Sequence, residues 1–138
     1  MTGKLNIGDL NVGDSASVTK SFSQEEVVQF ADISGDHNPI HLDEEIAAAS
    51  IFGQRVVHGM LVASLFSGLI GEHLPGQGSI YLGQNLSFKA PVLIGEEVTA
   101  SVEITGLRDD KPIVTLQTIC RNSQGKVVIK GEAIVLFS

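Results

Sequence analysis

The hydrophobic positions of this chain change period once, after Pro75-Gly76. Before that point the apolar residues recur at helical spacing. Val27, Val28, Phe30, Ala31 and Ile33 form one stripe. Ser23-Gln24-Glu25-Glu26 precedes it as a capping box, with Ser23 as N-cap and Glu26 three positions on. Gly35 is placed to end that helix. Asp43-Glu44-Glu45 predicts a second, short helix through Ile46–Ser50, with negative charge at its positive end. The segment GMLVASLFSGLIG, Gly59 to Gly71, contains no charged side chain. It is too short to span a bilayer. Apolar on nearly all sides, it predicts a helix buried inside the protein, with small residues where a sheet approaches its backbone.

After Gly76 the period is two. Ile80, Leu82, Leu86 and Phe88 alternate with Ser79, Tyr81, Gly83, Asn85, Ser87 and Lys89. Val98, Ala100, Val102 and Ile104 repeat the pattern, as do Val114, Leu116 and Cys120 less cleanly. Val127, Ile129, Ala133, Val135 and Phe137 form a last strand. Asp109-Asp110 and Ser123-Gln124-Gly125 read as turns between antiparallel neighbours. A fifth strand falls near Ser15–Phe22. The expectation is an α+β chain, residues 1–138 in one domain, with an antiparallel five-stranded sheet wrapped around one long central helix. A single layer of this kind leaves an edge or face unfinished, which a second copy of the chain would complete.

Composition narrows the partners. The formal charge is −7, so a global basic face for nucleic acid is absent, and the lack of Trp argues against a base-stacking platform. The one cysteine, Cys120, excludes an internal disulfide and a cysteine zinc cluster, and reads as a small core residue. The N-terminal MTGKLNIGDLNVGD has no apolar run of signal-peptide length, which predicts a cytoplasmic protein. No membrane association is expected.

Candidate chemistry concentrates in Ser34-Gly35-Asp36-His37-Asn38-Pro39-Ile40-His41, which holds two of the chain's four histidines. Asn38-Pro39 is an ordinary turn or helix-start dipeptide, and Asp36 and His37 could simply cap or be solvated. Yet Asp36 and His41 lie five positions apart across a proline turn, a spacing that can point a carboxylate and an imidazole into one cleft as an acid–base pair. Serine nucleophilic catalysis is the weaker idea, because no G-x-S-x-G elbow is present. A metal is weaker still, because Pro39 interrupts the helix that a His37–His41 pair would need. Gly59, after His58, stands at the predicted N-terminus of the buried helix, where free N–H groups favour developing negative charge. Ser67, two turns along, either positions a substrate or packs.

Phe30-x-x-x-Ser34-Gly35-Asp36-x-Asn38-Pro39-Ile40-His41, with Ser50 nine residues later, resembles the hydratase-2 signature of MaoC-like hot-dog proteins. Ile40 replaces the commoner Leu. The stretch VVHGMLVASLFSGLIGEHLPGQGSIYLGQNLSFKAPVLIGEEV resembles the short (R)-specific enoyl-CoA hydratases of the PhaJ type, and the likeness covers nearly the whole chain. The resemblance implies a hot-dog fold paired as a homodimer. It implies reversible syn hydration of a trans-2-enoyl-CoA to the (R)-3-hydroxyacyl-CoA, with Asp36 and His41 as catalytic residues and Gly59 donating to the thioester oxygen. It places Asn38 and Ser67 as substrate-positioning groups and Ile70 and Val135 along the acyl pocket. No metal or organic cofactor is called for, and a role in polyhydroxyalkanoate supply is implied. The competing expectations are a 3-hydroxyacyl-carrier-protein dehydratase, a hot-dog thioesterase and a non-catalytic acyl-CoA binding module. The scattered Lys and Arg residues show no basic patch for an acidic carrier protein.

Overall fold

Period-two burial builds the body of the molecule. The computed structural model describes residues 6–138. Strands β4 (Glu97–Leu107), β5 (Ile113–Asn122) and β6 (Val127–Phe137) form antiparallel ladders. Their alternate side chains, Val98, Ala100, Val102, Ile104, Val114, Leu116, Cys120, Ala133, Val135 and Phe137, are buried on one face. Strand β1 (Ser15–Ser21) pairs with β4, and β2 (Ser79–Gln84) pairs with β6, giving the order β1-β4-β5-β6-β2. The two turns read from sequence stand where expected. The Asp110 carboxylate accepts two bonds from Arg108, and the Asn122 side chain accepts from the amides of Gln124 and Lys126.

Against the buried face lies α4 (Gly59–Glu72), which packs Val62, Ala63, Phe66, Leu69 and Ile70 into the core. Among the described residues three shorter α-helices and one 3-10 turn, Ile7–Asp9, precede it. Helix α1 (Gln24–Ser34) begins at the Ser23–Glu26 capping box and ends at Gly35 in the left-handed region, φ 79°. Helix α3 (Glu44–Ala48) is capped by Asp43, whose carboxylate accepts from the amides of Glu45 and Ile46.

Asn38-Pro39 acts as a helix start: a one-turn helix, α2 (Pro39–Leu42), follows because proline supplies a helical φ at the first position and Asn38 caps it. The fold departs from the sequence expectations at three places. The strand expected over 79–89 is broken into β2 and the two-residue β3 (Ser87–Phe88), so six strands form among the described residues instead of five. The break occurs at Asn85, whose carbonyl lies against Gly131 of β6 and leaves no space for a Cβ there. In β6 the alternation slips: Cys120 faces Ile129 and Arg121 faces Val127, so Val128 is the extra residue of a bulge and is fully buried. Finally, α4 is covered on one side only. Met60 is 58 % exposed, and Ser64, Ser67, Gly68 and Gly71 face outward. Ile80, Leu82 and Phe88, the apolar members of the broken strand, are each more than half exposed.

Candidate active site

The loop from Ser34 to Asn38 holds its shape by short-range hydrogen bonds. The Ser34 hydroxyl donates to the Phe30 carbonyl at 2.7 Å and accepts from the Asp36 amide at 3.1 Å. The Asp36 carboxylate accepts from the Asn38 amide at 3.2 Å, closing an Asx turn. The Asn38 side chain accepts from the Ile40 amide and so starts α2, which carries His41 inward. His37 points away and pairs with Asp32 at 3.0 Å on the exposed side. That carboxylate raises the His37 pKa above its ordinary 6.5.

His41 is buried and fixed at both ends. Its Nδ1 lies 2.8 Å from the Val56 carbonyl, which can only accept, so Nδ1 carries a proton and, in the neutral ring, Nε2 is the atom with a free lone pair. Its own carbonyl accepts from Arg55 Nε at 2.8 Å, and that side chain is only 9 % exposed. Val56 is set in turn by its amide bond to the Ile40 carbonyl and by a bridge to Leu93. Ser50, the outlying member of the sequence signature, works at a distance from the chemistry. Its hydroxyl donates to the Ala47 carbonyl and accepts from the Phe52 amide, turning the chain after α3.

These elements enclose a cleft of about 460 Å³. Asp36, His41, His58 and Gly59 supply its polar side; Val56, Val57, Val62 and Ile129 are among its apolar walls; Met60, Phe88 and Lys89 stand around it. Asp36 and His41 do share one space, since one polar atom from each of Asp36, His41 and His58 falls within 4.8 Å of the others. Asp36 is exposed in the single chain, so this side of the cleft is open. Gly59 is the first residue of α4, and its N–H precedes every intrahelical bond; the amides of Leu61 and Val62 are the first to find the His58 carbonyl. The Phe88 ring lies directly on its Cα.

The Asp-His-His grouping has the composition of a metal site but the wrong geometry. The imidazoles of His41 and His58 are stacked, 3.8 Å between centroids and 26° from parallel. Their lone pairs therefore run side by side, whereas a bound ion needs them to converge at about 2 Å. Each ring also has one nitrogen committed to a backbone carbonyl.

The other residues singled out from sequence are placed elsewhere. Ser67 is on the exposed face of α4, away from the cleft lining. Ile70 and Val135 are core residues, 2 % and 0 % exposed, and do not line this cleft. Asn38 acts on the loop backbone. Sequence reasoning assigned no role to Arg55, Val56 or Phe88, and noted His58 only as the residue before Gly59. One signal for His58 was available: histidine is an uncommon N-cap where Ser, Thr, Asp or Asn would serve the helix better.

The MaoC like domain family matches residues 11–123. The chain therefore belongs to the MaoC-like family. It is 56 % identical over 126 residues to the (R)-specific enoyl-CoA hydratase of Aeromonas caviae, covering 91 % of this chain and 94 % of that one. It is 48 % identical over 128 residues to the (R)-specific enoyl-CoA hydratase of Rhodospirillum rubrum, covering 93 % and 88 %. The solved structure of the A. caviae (R)-hydratase involved in PHA biosynthesis superposes with a TM-score of 0.93 at 55 % identity, covering 94 % of this chain and 98 % of that one. The hot-dog fold is thus established, with the helix α4 held by an antiparallel sheet.

Proposed function

We propose that this protein is an (R)-specific enoyl-CoA hydratase, a hydro-lyase that adds water reversibly to a trans-2-enoyl-CoA and forms the (R)-3-hydroxyacyl-CoA. The observation that carries this reading is the meeting of Asp36 and His41 in one cleft at the first N–H of α4. The similarity to two hydratases over nine-tenths of the chain supports it.

Water is a poor nucleophile, and an enoyl thioester accepts it only when its carbonyl is polarised. Gly59 N–H at the positive end of α4 donates to the thioester oxygen, where charge grows as the enolate forms; one such donor is worth about 3 kcal/mol. The Asp36 carboxylate takes a proton from water as the oxygen attacks the β-carbon. In the neutral ring, whose Nδ1–H is bonded to Val56, His41 Nε2 accepts the second O–H and holds the water in line. The proton then passes from the Asp36 carboxyl to the α-carbon as the enolate collapses. The O–H bond of water breaks, C–O and C–H bonds form on one face, and the carboxylate is regenerated. Asn38 keeps this loop in register. All of the chemistry is proton transfer and charge stabilisation by the chain's own groups.

The working form in this proposal is a homodimer. Among the described residues β2 has β6 as its only strand neighbour, and its Ile80 and Leu82 are exposed. A second β2 would pair that edge, extend the sheet and cover the open side of the cleft near Asp36 and the outer face of α4 that carries Ser67. The acyl chain would then run along the apolar wall of Val56, Val57, Val62 and Ile129. Exposed Lys89, beside the cleft, is a cation for a CoA phosphate in a chain of net charge −7. No helix is long and apolar enough to cross a membrane among the described residues. A reducing cytoplasm, where the lone buried thiol of Cys120 stays free, suits such an enzyme. Supply of monomers for polyhydroxyalkanoate is the metabolic role that fits the product. The test is loss of enoyl-thioester absorbance on adding crotonyl-CoA, followed by chiral analysis. Formation of (R)-3-hydroxybutyryl-CoA is expected; an inert mixture, or release of free CoA thiol, overturns the assignment.

A further inference from the structure

His58 has no part in the chemistry just described, yet it lies against both Asp36 and His41. It is 2 % exposed and sits at the N-cap of α4, one residue before Gly59. Its Nε2 lies 3.0 Å from the backbone carbonyl of Asp36, a contact across 22 residues of chain. Its ring stacks on that of His41 at 3.8 Å and meets the edge of Phe30 at 4.8 Å.

We propose that His58 is a positioning residue of this site: a neutral imidazole whose Nε2–H pins the Asp36 backbone while its ring fixes the plane of His41. This inference rests on the hydratase reading. Three observations define the protonation state. A carbonyl can only accept, so Nε2 must carry the proton. The N-terminus of a helix is its positive end and disfavours an imidazolium there. Burial pushes the His58 pKa down. Nδ1 is then unprotonated, and it is buried with no partner. Leaving a buried polar atom unpaired is costly, and natural proteins seldom keep such atoms without a reason. The reason here is geometric. The Asp36 loop is exposed, and its carboxylate is useful only if the backbone behind it is held. A neutral ring can also lie against His41 without repelling any charge that His41 acquires during turnover.

A packing role and a positioning role make different demands on the side chain. In His58→Gln the amide nitrogen reaches about as far as Nε2 and can still donate to the Asp36 carbonyl. In His58→Asn it stops one bond short. Both lose the imidazole, and Asn leaves the larger void, so a packing role would make kcat follow the loss of Tm, whereas a positioning role separates the two. His58→Asn is expected to lower kcat for crotonyl-CoA by about 10²-fold, as misplacement of a reacting group by an ångström does, with KM little changed. His58→Gln should recover most of that loss at an equal Tm. Equal kcat in the two variants, a loss confined to KM, or a loss that follows Tm would overturn the proposal. A wild-type protein with no hydratase activity would sink the hydratase reading instead, and a second readout then decides the role of His58. Nitrogen NMR of the wild type should show the Nε2–H tautomer, with the Asp36 carbonyl-carbon and His37 amide resonances displaced in His58→Asn and restored in His58→Gln. An Nδ1–H or doubly protonated ring, or Asp36 carbonyl and His37 amide resonances indifferent to both substitutions, would overturn it.

Discussion

The ring of Phe88 lies on the Cα of Gly59, so that a Cβ at position 59 would stand 2.7 Å from both Cδ1 and Cε1. Glycine at the start of α4 is therefore required by its neighbour in β3, since Gly59 carries no positive φ. Gly59→Ala should displace the half-exposed Phe88 ring at a modest stability cost, about 1 kcal/mol. It should lower kcat by about 10²-fold by moving the N–H that meets the thioester oxygen. Combining it with Phe88→Ala should recover part of the loss. A strictly additive double-mutant cycle would show that the ring is not the cause.

Asp36→Asn and His41→Gln remove the groups that handle the proton and the water. Each should reduce kcat by about 10²–10⁴-fold, the range for a positioned acid or base, while the circular dichroism and melting temperature stay near those of the wild type. Nitrogen NMR should find Nδ1 of His41 carrying a proton, because it is bonded to the Val56 carbonyl. Full turnover in either variant would remove that residue from the mechanism.

Arg55 acts one step behind His41. Its buried Nε–H is bonded to the His41 carbonyl, and Glu44, 4.0 Å from Nη1, adds little at an exposed carboxylate. Arg55→Met keeps the apolar stem but leaves that carbonyl without its charged donor, a loss of about 1–3 kcal/mol in unfolding free energy. Arg55→Lys should recover little, because an ammonium cannot reproduce the direction of Nε–H. Urea unfolding of the three proteins is the measurement.

Two histidines should give opposite pH signatures. His58 has a folded pKa below the ordinary 6.5, because it is buried. The unfolded chain then binds that proton more readily, so stability is full above 6.5 and falls as the pH drops through the lowered value. His37 has a folded pKa above 6.5 because of Asp32, so its contribution is full below 6.5 and fades as the pH rises through the raised value. Proton NMR titration should place the two on either side of 6.5. Asp32→Asn should return His37 toward the ordinary value and leave His58 where it is.

The edge of β2 makes the oligomer testable. Ile80 and Leu82 are 57 % and 53 % exposed in one chain, so lysine at either position costs the isolated fold little. In a dimer joined through β2, Ile80→Lys with Leu82→Lys should halve the mass seen by light scattering and lower hydratase activity with it. A wild-type protein that is monomeric and fully active would exclude this assembly.

What was legible in the sequence was what is local or strictly periodic. Ser23 and Glu26 cap α1 by contacts three residues apart, Gly35 takes the left-handed turn, and Val98 to Ile104 alternate because a strand buries every second side chain. The Asp36–His41 pairing was legible for the same reason: five residues and one proline hold both groups, and the recurrent motif carries them together. Where a distant element decides the outcome, spacing said nothing. Gly131 must be glycine because the Asn85 carbonyl rests on it, 46 positions away in the chain, and that contact splits one expected strand into β2 and β3. Val128 is buried by a bulge that exists only in register with Cys120 and Arg121. His58 reads as an isolated histidine until the fold brings it against Asp36, His41 and Phe30. Burial, stacking and the choice of tautomer are set by what the chain folds against, and only the tertiary structure specifies those neighbours.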